Sequence, residues 1–156
     1  MLKSAPWLTV GTAWPLATLV AGTLDLLYAC AVNGPKGAPP LRVMQSVASG
    51  LLGRAAFEGG LASALLGVWL HFVILAVAVG LFCAVVARLH VLAAHPVLAG
   101  LLAGAVIFAV MNAVVVPLSA APFRTLHTPW QVARDLLAHM LLVGLPVSLL
   151  AARPLR

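Results

Sequence analysis

Acidic residues are nearly missing from this chain. Asp25, Glu58 and Asp135 are the only three in 156 residues, against nine Lys and Arg, and charged residues of both signs make up 8% of the total. Hydrophobic residues make up 63%, and the mean hydropathy is +1.14. A soluble core of this size has no room for so much apolar surface, so lipid must be the solvent for most of it. The net charge of +6 would raise nucleic acid as a partner for a soluble protein. Here the cations are scattered over segment ends with no basic stripe and no interleaved aromatics. They read as anchors that meet headgroups, and nucleic acid is excluded as a partner.

Other absences narrow the chemistry. There are two cysteines, Cys30 and Cys83, in different apolar runs and not in a CxxC pair, so they read as packed thiols. HExxH, GxSxG and P-loop patterns are missing, and so is the CxxCH of covalent haem attachment. Ser46, Ser49 and Ser119 have no histidine at a spacing that would make a nucleophile of them. Catalysis is not expected. The apolar run from Trp7 to Val32 is much longer than the ~7–15 residues of a signal-peptide core, and it carries Asp25. It is expected to be a retained first span.

What is present is four runs long enough to cross a bilayer, which takes about 20 apolar residues. They cover roughly 7–32, 60–87, 96–117 and 130–152. An even count puts both ends of the sequence on one side, face A, and the two longer connections on the other, face B. Face A carries Lys3, Arg88, Arg153 and Arg156, and face B carries Lys36, Arg42, Arg54, Arg124 and Arg134. The basic frame around face A favours termini in the cytoplasm. The halves 1–78 and 79–156 do not match, so no internal repeat of the transporter kind is expected.

Residues 41–57 are too polar for a span and too poor in breakers for a loop. On a 100° wheel Leu41, Met44, Val47, Ala48, Leu51 and Leu52 fall on one side. Arg42, Gln45, Ser46, Ser49 and Gly53 fall on the other. Pro39-Pro40 starts the helix and Gly59-Gly60 ends it. Arg54 and Glu58, four apart, are expected to pair. Surface helices usually carry several Lys and Arg on the polar side. This one carries small residues, so it is expected to lay that side on the bundle, as a lid at face B.

Bundle interiors in lipid favour small and polar residues. Such residues recur at helical spacing as Gly11, Pro15, Thr18, Gly22, Asp25 and Ala29, then as Gly60, Ala64, Gly67, His71 and Ala78. Gly100 and Gly104 form a GxxxG followed by Asn112, and Gln131, Asp135 and His139 form an i, i+4, i+8 line. Gly100 and Gly104 suit either packing within the bundle or contact with a second copy, a homo-oligomer. At ~1.5 Å per residue, Asp25, His71, Asn112 and His139 all fall in the face B half. The two histidines lie at nearly one depth. The polar pocket expected there comprises Asp25, Gln45, Ser49, His71, Asn112, Asp135 and His139, rimmed by Arg42, Arg54, Glu58 and Arg124.

An ionisable group in a span costs about 2.5–3.5 kcal/mol on insertion scales, so it has a partner or a task. Three readings of the pocket compete with plain hydrogen-bonded packing. It binds a small polar ligand, a lipid headgroup or a proton. Alternatively, His71 and His139 hold a haem b, or with an Asp a metal ion, with Asp135 orienting His139 from one turn away. Alternatively, Asp25 carries protons in a small transporter.

GTLDLLYA (22–29), PLRVMQSVASGLLGRAAFEGG (40–60), the histidine of VWLHF (68–72) and MNAVVVPLSAAPF (111–123) resemble a family of small bacterial inner-membrane proteins of four predicted spans. The resemblance covers most of the chain. It implies a bacterial inner-membrane placement and no particular activity. The expected fold is all-α: an integral-membrane four-helix bundle, one domain over 1–156, with an additional amphipathic interfacial or re-entrant helix between spans one and two.

Overall fold

A computed structural model describes residues 10–123 and 128–151. Arg124 of the expected rim lies outside the described residues, as do Lys3, Trp7, Arg153 and Arg156. Among the described residues the chain is all helical, and four helices are long and apolar enough to cross a membrane: Thr12–Lys36, Gly60–Arg88, Pro96–Leu118 and Pro129–Ala151.

The first span is α1 (Val10–Asn33), the intervening helix is α2 (Pro40–Leu52), and the second span is α3 (Gly60–Arg88). A short α4 (His90–Ala94) leads into α5 (Pro96–Val110). The third span continues as a π-helical turn, Met111–Val115, and α6 (Val116–Leu118). The fourth is α7 (Pro129–Ala138), a second π turn, His139–Gly144, and α8 (Leu145–Ala151). Thr128 and Gln131 close a capping box at the start of α7, which spends Gln131 on its own helix end.

Both π turns have one cause. Each stops one residue short of a Val-Pro or Leu-Pro step, at Pro117 and Pro146. Proline has no N–H to give, and its ring crowds the carbonyl four residues back. Widening the preceding turn relieves that crowding, so Val116 and Leu145 donate five residues back, to Met111 and Met140.

The spans meet through small residues and side-chain bonds to backbone. Trp14 Nε1 donates to Ala76 O (3.0 Å) and His71 Nε2 to Gly22 O (3.0 Å), which fixes α1 antiparallel to α3. Gly100 and Gly104 face the fourth span: a Cβ on Gly100 would lie 2.9 Å from Gly144 O, and one on Gly104 would strike the His139 carbonyl. Ser148 Oγ donates to Pro96 O at 2.7 Å on the same seam. The GxxxG is therefore used inside the bundle. Span four packs on both α1 and α5, and α3 packs on α1 and α2. The apolar core (Ala17, Ala21, Leu75, Val79, Phe82, Val86, Ala99, Val143, Val147 and Ala151) belongs to the face A side of Gly22, His71 and His139. The ionisable side chains Asp25, Asp135 and His139 lie on the other side of that core, towards face B.

Helix α2 buries Val43, Gln45, Ala48 and Ser49 and exposes Leu41, Leu51 and Leu52. It crosses α3 at Gly67, where an added Cβ would strike the Met44 carbonyl. Its far end reaches the third span's exit: Ala120 N donates to Gly50 O at 2.9 Å. Beyond Leu52 the chain tightens into a 3₁₀ turn, Gly53–Phe57. With about three residues per turn, positions four apart no longer share a face. The expected Arg54–Glu58 pair does not form, and both side chains are exposed. Arg42, also on the expected rim, instead lies 5.4 Å over the Phe57 ring and donates to Phe57 O.

Candidate functional site

Five polar side chains from α1 and the fourth span converge in the face B half. On α1, Asp25 and Tyr28 are three apart and share a face. On the fourth span, Asp135 and His139 are four apart, with Arg134 beside them. Tyr28 Oη donates to Asp135 Oδ1 at 2.6 Å, and Arg134 approaches the same oxygen with Nη2 at 2.7 Å and Nε at 2.9 Å. The Asp135 carboxylate is thus held by a phenol from across the interface and a guanidinium from its own helix. Such charge-assisted bonds are the strong ones.

His139 opens the second π turn. Its Nδ1 donates to the backbone carbonyl of Asp135 at 2.8 Å, and its ring meets Phe108 edge-on at 5.3 Å. Asp135 therefore does orient His139, but with its carbonyl; its carboxylate is engaged elsewhere. Nε2 of His139 then faces Asp25 Oδ1 at 4.0 Å, the two side chains being 20% and 21% exposed. That distance exceeds a hydrogen bond. The pair is open, and it is reachable.

The other residues of the expected pocket sit apart from this cluster. Gln45 is 2% exposed beneath α2, where Nε2 donates to Gly60 O (3.0 Å) and Ser63 Oγ (3.3 Å). Its Oε1 is buried without a partner. Ser49 is fully buried and donates to Ser46 O in its own helix, at 2.7 Å. Asn112 donates to Phe108 O, also in its own helix, at 2.9 Å. His71 spends Nε2 on Gly22 O, one turn of α1 before Asp25. The single pocket drawn from the sequence is thus one cluster, Asp25–Tyr28–Arg134–Asp135–His139, with separate hydrogen-bonded sites under α2 and beside α1.

This geometry does not suit a haem held between the two histidines. His71 Nε2 is bonded to α1, and His139 has Nδ1 bonded to Asp135 O and Nε2 turned to Asp25. Among the described residues no three His, Cys, Asp or Glu side chains are grouped to hold a metal ion.

Comparison of the chain with known protein families, with curated proteins and with solved structures finds no match. The site's chemistry therefore rests on its own geometry.

Tyr28 is the member that sequence reasoning missed. Its signal was there: it is the sole tyrosine of the chain and lies three residues from the sole acid of span one. Removing its hydroxyl tests the α1–α7 contact. Hydrogen bonds between membrane helices are worth about 0.6 kcal/mol on average and up to about 1.7. Tyr28→Phe is expected to cost ~1 kcal/mol, read as a lowered midpoint in detergent-mixture unfolding, with Arg134 still holding Asp135. A surface hollow lined by Ala94, His95, Pro96, Val97, Leu98 and Leu101 lies at the face A turn. It is largely apolar and does not include the cluster.

Proposed function

We propose that this is an integral-membrane binding or accessory protein without catalysis, whose site is the open Asp25–His139 pair walled by Tyr28, Asp135 and Arg134. It takes a small polar ligand or a lipid headgroup in the face B half of the bundle. One observation carries the reading. Asp25 is a carboxyl group within a span, and the nitrogen that faces it, Nε2 of the His139 imidazole, stands 4.0 Å away. A group so costly to insert is here left partly exposed and unclosed, whereas Asp135 nearby is bonded by both Tyr28 and Arg134.

Helix α2 is, in this proposal, an amphipathic interfacial helix that straps face B. Three features support it. At 13 residues it is too short to span, its buried side includes the polar Gln45 and Ser49, and it ties α3 to the exit of the third span. Helix α3 has 29 residues, ~43 Å, against ~30 Å of hydrocarbon. Its first turns, where α2 crosses, are the part in excess. The resemblance and the basic frame of face A favour a bacterial inner membrane with cytoplasmic termini.

The test uses purified protein and three headgroup fragments of different charge: ethanolamine, glycerol 3-phosphate and glycerol. At tenfold the dissociation constant a ligand adds about 1.4 kcal/mol, which raises the unfolding midpoint by roughly 3–6 °C. At least one fragment is expected to do so in the wild type and to fail in Asp25→Asn. If none stabilises the wild type, or the variant responds equally, the binding reading is wrong.

A further inference from the structure

The hydrogen on His139 can be placed. Nδ1 lies 2.8 Å from the Asp135 carbonyl, which only accepts, so Nδ1 carries the hydrogen. In the neutral ring Nε2 is then a bare lone pair. It faces Asp25 Oδ1, also an acceptor. Two acceptors confront each other with no donor between them. At 4.0 Å no direct hydrogen bond joins them, and the gap has the width for one donor atom. An atom ~2.9 Å from both would bond them at an angle of about 90°.

Charge selects among donors. Asp135 is neutralised by Arg134 and further bonded by Tyr28. Asp25 has no Lys or Arg within ion-pair reach among the described residues, and His71 gives its N–H to Gly22. With Asp25 ionised and His139 neutral, the cluster carries one surplus negative charge, on the same residue that lines the gap. Hard metal ions prefer shells of oxygen ligands, and no three-ligand group is present among the described residues.

We infer that the ligand of this site is a primary ammonium group, held by N–H bonds to Asp25 Oδ1 and His139 Nε2. This rests on the binding reading above and specifies it. A primary ammonium supplies both features the gap lacks, a positive charge and at least two divergent N–H donors. A quaternary ammonium supplies only the first. The source is a free amine or the headgroup of an ethanolamine lipid, and the two share this chemistry.

The experiment follows the ring-nitrogen resonances of His139 in histidine-labelled protein in phosphatidylcholine nanodiscs, assigned by loss in His139→Gln. Before any addition, Nε2 is expected to resonate as an unprotonated nitrogen. Methylammonium chloride should move it saturably, and tetramethylammonium chloride should not. Asp25→Asn should weaken methylammonium about 10- to 100-fold, the range for a bond to a charged group. The comparison of the two cations in wild-type protein needs no variant, so it stands even if Asp25→Asn fails to fold. In nanodiscs containing phosphatidylethanolamine, a resonance already shifted and insensitive to methylammonium identifies the headgroup as the source. An unshifted, still responsive one identifies a free amine.

The inference is overturned if methylammonium has no saturable effect, if tetramethylammonium acts equally, or if Nε2 already carries a hydrogen in phosphatidylcholine alone. If glycerol 3-phosphate or glycerol stabilises the protein through Asp25 while methylammonium does nothing, the binding function survives and the ammonium assignment falls. If no fragment stabilises it, both fall.

Discussion

Gly144→Ala is expected to separate the third and fourth spans. A Cβ there would collide with Gly100 O and lie 2.8 Å from the Cα of Gly104, so backbone meets it on α5 and no side chain can swing away. Overpacking typically costs about 1–3 kcal/mol, and a rigid backbone on the far side puts this change at the upper end. A loss of ~3 kcal/mol lowers the unfolding midpoint by roughly 6–12 °C in a chain of this length. Gly34→Ala is the control: nothing lies within 4 Å of its added Cβ. Equal midpoints for the two variants would mean that the α5–span four seam is not as close as described. The expected loss exceeds that for Tyr28→Phe because one substitution moves helices and the other removes a single bond.

The second large effect concerns α2. A Cβ built on Gly50 lies 3.7 Å from Ser119 Cβ, inside the 3.5–4.5 Å range of disulfides. With Cys30 and Cys83 replaced by alanine, Gly50→Cys with Ser119→Cys should crosslink nearly completely under mild oxidation, read as a reducible mobility shift. Adding Gly67→Leu drives a side chain into the Met44 carbonyl and lifts α2 from α3. An overpacking cost of ~1–3 kcal/mol converts to a crosslinking rate at least about fivefold lower. A crosslink that forms no faster than between two exposed cysteines would show that α2 does not strap face B. An undiminished crosslink in the Gly67→Leu protein would show that Gly67 does not hold it.

Much of this was legible in the sequence because lipid simplifies the reading. With no water in the core, long apolar runs must be helices, and small residues must mark the seams. Gly100, Gly104 and Gly67 are where the backbones touch. The three acids point to the polar half, where Asp25 and His139 face each other at 4.0 Å. The pocket was drawn too large because depth along a helix was read without azimuth. His71 shares a level with His139 in that reading, yet its ring is bonded to α1. Arg54 and Glu58 were read on an α-helical wheel across a stretch that winds as 3₁₀. The line Gln131, Asp135, His139 extrapolates to Val143, but Gly144 and Ser148 carry the contacts to α5. That five-residue step is the mark of the π turn. Pro146, inside an apolar run, was the signal for it.

The two π turns also bear on how this chain tolerates changes of length. A π turn is an α-helical turn holding one residue more, with the helices on either side still in phase. Elsewhere in a span, losing one residue rotates all that follows by about 100° and sends the seam glycines to the lipid. Between His139 and Gly144 the same loss returns the turn to ordinary winding and leaves Asp135 and Ser148 on their present faces. The fold thus holds a spare residue in span three and another in span four, each kept next to a proline. These are the places where a spanning helix can be shortened without being turned.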